Sequence, residues 1–196
     1  MRASRFFLSA LTLAVLATLT SSPAIAVGQS VSGEGNATVP LAKISQSVIV
    51  ELVFTGVGPV QARPVLSNKA RTFPWVDSVG PWSGSVFQEK DIKPIVGARV
   101  VATGPWTINI KPLSSAPVIS QGSGSQVIQL KKVARGNTTK RFSHEGSGEF
   151  KVFPISAKGV SGFASIEESG PYKGKAILPS GTKYIAIISS APWQMR

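Results

Sequence analysis

Apolar residues beyond position 26 come in short, β-branched runs cut by Gly and Pro, and they never hold the 3.6-residue period of a helix. Runs at 37–41, 47–54, 60–65, 85–87 and 99–102 predict strands in the first half. Runs at 126–130, 138–143, 150–155, 175–178 and 184–188 predict their counterparts in the second. The stretch Val48-Ile49-Val50-Glu51-Leu52-Val53-Phe54 is apolar at almost every position, which suits a strand covered on both faces. Its counterpart Thr138-Thr139-Lys140-Arg141-Phe142-Ser143 is polar and is expected at a surface or an edge.

The halves share landmarks as well as strands. Gly80-Pro81-Trp82-Ser83-Gly84 returns 90 positions later as Gly170-Pro171-Tyr172-Lys173-Gly174. Gly33-Glu34-Gly35 answers Gly122-Ser123-Gly124, Phe54 answers Phe142, and Gly56-Val57-Gly58 answers Gly146-Ser147-Gly148. Val60, Ala62, Pro64 and Val65 match Phe150, Val152, Pro154 and Ile155, and Phe73 and Val76 match Phe163 and Ile166. Both copies end on a Pro-Trp pair, Pro105-Trp106 and Pro192-Trp193. The expected fold is all-β: two tandem small β-sandwich modules related by internal duplication, at 27–113 and 125–196, joined by a Ser-, Pro- and Gly-rich linker at 114–124. One larger sandwich with the repeats as pseudo-symmetric halves is the alternative.

Pro64 and Pro154 cannot donate to a ladder, so each predicts a strand end or an edge. In Gly-Pro-aromatic-x-Gly the Pro presets a turn and aims the aromatic, so Trp82 and Tyr172 are expected to plug a sandwich core, with an exposed stacking platform as the alternative. Trp106 and Trp193 are expected in the core. Trp75 faces Ser165 in the alignment of the copies, which makes it the candidate for an exposed contact peculiar to the first module.

The order Gly-x-Gly, Phe-bearing strand, Gly-x-Gly-x-Phe, Gly-Pro-Tyr-x-Gly and a final strand into Trp, read over 122–196, resembles a small β domain of secreted and surface proteins of actinobacteria. The resemblance covers the second copy best. It implies an extracellular sandwich of unassigned function and brings no catalytic residues with it.

The leader changes the picture of compartment. Arg2 and Arg5 precede an apolar run that breaks at Ser21-Ser22-Pro23, and Ala24-Ile25-Ala26 supplies small residues for cleavage, so 1–26 is read as a signal peptide with Val27 as the mature start. The run is shorter than the roughly 20 residues that span a bilayer, and no later stretch approaches that length. Without Cys there are no disulfides or thiolate sites. A secreted or surface-associated location is the expectation, and a bacterial exported protein fits it best.

Charge narrows the partners. The chain has 21 basic and 9 acidic residues, for a net +12, and without Arg2 and Arg5 the mature protein would carry +10. The second module is the more basic, with 11 cations against 4 acids over 122–196. Lys131, Lys132, Arg135, Lys140 and Arg141 lie within two successive predicted strands and their loop. If those strands pair, the five cations share a surface suited to an anionic cell-wall polymer or acidic glycan. Only Phe142 adjoins them, too few aromatics for single-stranded nucleic acid, which is therefore disfavoured. A protein partner met through edge strands or loops is the other reading.

Chemistry is sparse. His144 is the sole His and is read as part of a polar loop beside Gly146. The carboxylate pairs Glu89 with Asp91 and Glu167 with Glu168 sit among Lys residues or turns, as solvated groups do. No phosphate loop, dinucleotide fingerprint or Ca²⁺ loop occurs. A non-catalytic binding protein with no cofactor and no metal is the expectation.

Overall fold

The computed structural model describes residues 28–196. The signal peptide expected over 1–26 and the start at Val27 lie outside these residues. In the first half the strands are β1 (Gln29–Glu34), β2 (Ala37–Ile44), β3 (Val48–Phe54), β4 (Pro59–Leu66), β5 (Val76–Val79), β6 (Trp82–Gln88), β7 (Ile95–Val101) and β8 (Pro105–Pro112). In the second they are β9 (Gln121–Ser123), β10 (Gln126–Gln129), β11 (Thr138–His144), β12 (Glu149–Ser156), β13 (Ile166–Ser169), β14 (Tyr172–Leu178), β15 (Thr182–Ser189) and β16 (Pro192–Met195). A short 3₁₀ turn at Leu113–Ser115 leads from one half to the other.

Every ladder is antiparallel and stays within its half. The first half forms sheet 1a, ordered β1-β8-β3-β6, and sheet 1b, ordered β2-β7-β4-β5. The second forms sheet 2a, ordered β9-β16-β11-β14, and sheet 2b, ordered β10-β15-β12-β13. Each strand has its counterpart eight strands later, and the pairing order is the same in both halves. Two tandem sandwiches, each with its own core, are the result. Val50, Leu52, Ile108 and Ile110 of sheet 1a meet Val60, Ala62, Ala98 and Val100 of sheet 1b. Phe142, Leu178 and Trp193 meet Phe150, Val152, Ile185 and Ile187 in the second module.

The repeated motifs lock the sandwich ends. Trp106 on β8 lies across Gly33, where an added Cβ would stand 2.5 Å from its Cζ2, and its Nε1 donates to Gly35 O at 2.9 Å. Trp193 repeats both contacts, over Gly122 and to Gly124 O at 3.0 Å. Gly-x-Gly and Pro-Trp are therefore two parts of one device, a Trp laid on a strand that must lack a side chain. Trp82 covers Gly84 and Tyr172 covers Gly174 in the same way, so both half-buried aromatics pack on their own strand as well as on the core. Gly80 and Gly170 turn with φ of 86° and 95°, conformations that glycine adopts most easily.

Pro64 and Pro154 stand where an edge opens. β5 pairs β4 only from Pro59 to Ala62, and β13 pairs β12 only from Glu149 to Val152. Beyond that the outward-pointing carbonyls are met by Thr72 Oγ1 and Gly162 N, so no ladder bond is missed at the prolines.

Three local expectations are corrected. The polar strand β11 lies in the middle of sheet 2a, between β14 and β16; one of its faces is in solvent, but it is no edge. Its register also places His144, not Phe142, opposite the motif aromatic and the Pro-Trp tryptophan, the place of Phe54. The 114–124 stretch is not simply an exposed linker: Ala116 is buried and Gln121–Ser123 is strand β9.

The modules pack head to tail. Ile49 and Phe87, on the outer face of sheet 1a, bury against Val127, Phe153, Ile155, Tyr184 and Ala186 on the outer face of sheet 2b, with Leu113 and Ala116 closing the seam. Ser85 holds the edge of the seam: its N donates to Ser125 O and its Oγ accepts from Val127 N, each at 2.9 Å. Ile49 is thus covered from outside its own sandwich. The other outer-facing apolar residue of β3, Val53, is 39% exposed, so the strand is not covered along the whole of both faces as its composition suggested.

Candidate functional site

Counterpart positions show which faces are left free. On sheet 1b the outward row Thr38, Arg99 and Arg63 crosses β2, β7 and β4. On sheet 2b the same row is Val127, Ala186 and Phe153, and it is apolar because the first module sits on it. On sheet 1a the row Ser85, Glu51 and Asn109 is near-neutral, with Glu51 held by Lys111 at 2.7 Å. On sheet 2a the corresponding row is Lys175, Arg141 and Arg196, directly opposed on three neighbouring strands.

This row is the concentrated feature of sheet 2a. Strands lie about 4.8 Å apart, so three cations are held along a line of roughly 10 Å. The neighbouring outward row crosses all four strands as Lys173, Ser143, Gln194 and Gln121. Arg196 donates to Gln194 Oε1 at 3.1 Å, which ties the two rows together. A shallow groove runs beside them, lined by Gln121, Ser143, Glu145, Pro192 and Gln194. None of Arg141, Lys173, Lys175 and Arg196 forms a salt bridge among the described residues, and all four are exposed. Hydrogen-bond donors fill the face, and their alternation along β11 and β14 follows from strand periodicity.

The five cations singled out from the sequence do not form one surface. β10 pairs β15 in sheet 2b while β11 lies in sheet 2a, so the two strands never pair. Lys131, Lys132 and Arg135 are exposed in the loop between them, which is fastened to the β14–β15 turn through Ala134 and Gly181. Lys140 is half-buried and takes the inward parity of Phe142 and His144, the place of Val50 in the first module. Only Arg141 belongs to the cationic row. The partners that sequence reasoning missed are Lys173, Lys175 and Arg196. Their signal was the i, i+2 spacing of Lys173 and Lys175, set between inward Tyr172, Gly174 and Ala176.

Trp75 is corrected too. It is only 9% exposed and belongs to the first core, with Nε1 donating to Gln88 Oε1 at 2.6 Å. The indole closes the gap at the sandwich edge beyond the end of β5. In the second module Ser165 stands there and its Oγ bonds Ile177 O at 3.0 Å.

His144 is likewise no loop residue. It ends β11 at 1% exposure, stacked on Phe150 with ring centroids 4.8 Å apart, and Nδ1 lies 3.2 Å from Gly170 O. Nε2 has no hydrogen-bond partner among the described residues. Of the carboxylates, Glu167 pairs with Lys151, and Glu89 accepts from Ser161 N across the module junction.

Fold and face together define the class: a tandem β-sandwich protein whose sheet 2a presents an open, cationic face. Neither a family model nor a curated protein sequence matches the chain. No helix among the described residues is long and apolar enough to cross a membrane.

Proposed function

We propose that this is a secreted, non-catalytic protein that binds an anionic cell-surface or extracellular polymer along the outer face of sheet 2a. The observation that carries the reading is the unpaired row Lys175, Arg141 and Arg196, with Lys173 beside it. A linear polymer with a negative group in each repeat meets such a row at successive charges. Ser143, Gln194 and Gln121 supply neutral hydrogen-bonding groups to its backbone. The leader read at 1–26 and the lack of Cys favour the extracellular setting.

The test is sedimentation of the protein with insoluble cell walls and with an immobilised acidic polysaccharide, at low and high salt. Retention at low salt and release at high salt are expected, because exposed charges are screened within about 8 Å at physiological ionic strength. Replacing Arg141, Lys173, Lys175 and Arg196 together by Gln should lower retention by at least tenfold. Retention that ignores salt, or that survives the fourfold replacement, overturns the reading.

A further inference from the structure

Three loops meet at the module junction: 67–75 after β4, 89–94 after β6 and 157–165 after β12. Hydrogen bonds tie them into one rim. Ser67 N donates to Pro94 O at 2.9 Å and Trp75 Nε1 donates to Gln88 Oε1 at 2.6 Å. Ser161 N reaches Glu89 Oε2 at 3.2 Å, while Ser47 Oγ accepts from Lys90 N at 3.0 Å and donates to Gly159 O at 2.6 Å.

Each loop carries a large apolar tip in solvent. Phe73 is 93% exposed, Ile92 95% and Phe163 99%, and Val160 beside Phe163 is 54% exposed. Phe73 and Phe163 are counterparts, two residues before Trp75 and Ser165, whose N atoms donate to Ala62 O and Val152 O. The same exposed ring therefore occurs in both modules. Neither belongs to a core, so packing does not account for them.

Cations surround the tips. Lys69, Arg71, Lys90, Lys93 and Lys158 are exposed in these loops and form no salt bridge among the described residues. The only acids there are Glu89, occupied by Ser161 N, and Asp91, whose Oδ1 accepts from Lys93 N at 3.3 Å. Separate aromatic and aliphatic tips among Lys and Arg suit a fluid amphipathic boundary, where rings enter the acyl margin and cations stay among the headgroups. A rigid protein partner would need a pocket for each tip.

We propose that this rim docks the protein on an anionic lipid bilayer, with Phe73, Ile92 and Phe163 entering the interface and the five cations meeting lipid phosphates. The rim is separate from the cationic face of sheet 2a, so the two readings stand or fall apart.

The test is co-sedimentation with vesicles of equal parts phosphatidylcholine and phosphatidylglycerol, against phosphatidylcholine alone. Binding to the anionic vesicles is expected, with at least a tenfold loss in Phe73→Ser/Phe163→Ser and in the variant with all five rim cations changed to Gln. Phe163→Trp should show a blue-shifted emission on the anionic vesicles. The fourfold Gln variant of sheet 2a should bind vesicles as the parent does. The proposal is overturned if the Phe variant binds like the parent, if the Trp emission does not shift, or if only the sheet 2a variant loses vesicles. It is overturned equally if sedimentation velocity shows that the Phe replacements dissolve a dimer and leave vesicle binding unchanged. All the replaced side chains are exposed, so matched melting curves will show that each variant is folded.

Discussion

Arg99 and Ala186 occupy one position in two copies of the same sheet, and they differ in what covers them. Arg99 on β7 stands in solvent opposite Arg63, whereas Ala186 on β15 is buried opposite Phe153 beneath the first module. A single position thus separates the face that the other module covers from the face left open. A further copy docked in the same way would have to bring the cations of sheet 2a against Arg63 and Arg99. Like charges would meet there without compensation.

Ala186→Arg should open the junction while leaving each sandwich folded. An unpaired guanidinium beneath Phe87 and Ile49 cannot be accommodated without overpacking, which typically costs about 1–3 kcal/mol before desolvation is counted. Small-angle scattering should report a more extended particle, and protease should cut near residues 113–120. An unchanged radius of gyration together with protease resistance would count against the seam as described.

Gly122→Ala should destabilise the second module by about 1–3 kcal/mol, because its methyl would clash with Gln126 Oε1 and stand 2.7 Å from Trp193 Cζ2. Gly181→Ala is the contrast: its φ of 85° strains any side chain, but nothing lies within 4 Å, so the cost should be nearer 1 kcal/mol. Urea denaturation followed by Trp fluorescence compares them. Equal costs would mean that Trp193 yields easily.

His144→Phe should hold or raise stability, by about 1 kcal/mol at most, since it removes a buried nitrogen without a partner and restores the residue that Phe54 supplies in the first module. His144→Ala should cost about 3 kcal/mol through the cavity left beside Phe150. Thermal unfolding distinguishes them. A Phe variant as unstable as the Ala variant would show that the Nδ1 contact to Gly170 O matters more than packing.

Lys131→Gln/Lys132→Gln/Arg135→Gln should leave polymer retention within about twofold of the parent once net charge is matched by a distant control, because long-range field alone is shared by both. A loss equal to that of the sheet 2a variant would return the binding site to the loop.

Lys151 contacts Glu149 at 3.0 Å and Glu167 at 3.1 Å, and its hydrogen bonds to these two carboxylates raise its pKa above the ordinary 10.5. A raised amine favours the fold while protonated, so its contribution is complete below the unfolded value and is lost as pH climbs through the folded one. The partners are largely exposed, which limits the effect to within about 1 kcal/mol. Melting temperature should fall more steeply above pH 10.5 in the parent than in Lys151→Met. Parallel curves would mean that solvent screens the pair completely.

The sequence by itself determined the duplication and the all-β character, and it led to the expectation that Trp106 and Trp193 lie in the core. These follow from local chemistry: β-branched runs, turn glycines, and a Trp placed after an apolar strand. It also carried the alternation that places Lys173 and Lys175 on one face. Only the tertiary structure decided that β10 and β11 belong to different sheets, which separated Lys131, Lys132 and Arg135 from Arg141. It alone turned Lys140 and His144 inward, closed Trp75 over the sandwich edge, and brought Arg196 beside Arg141 from more than fifty residues away. Runs and turns are set by neighbours along the chain. Which face is covered depends on sheet order and on the partner module, and that information is non-local.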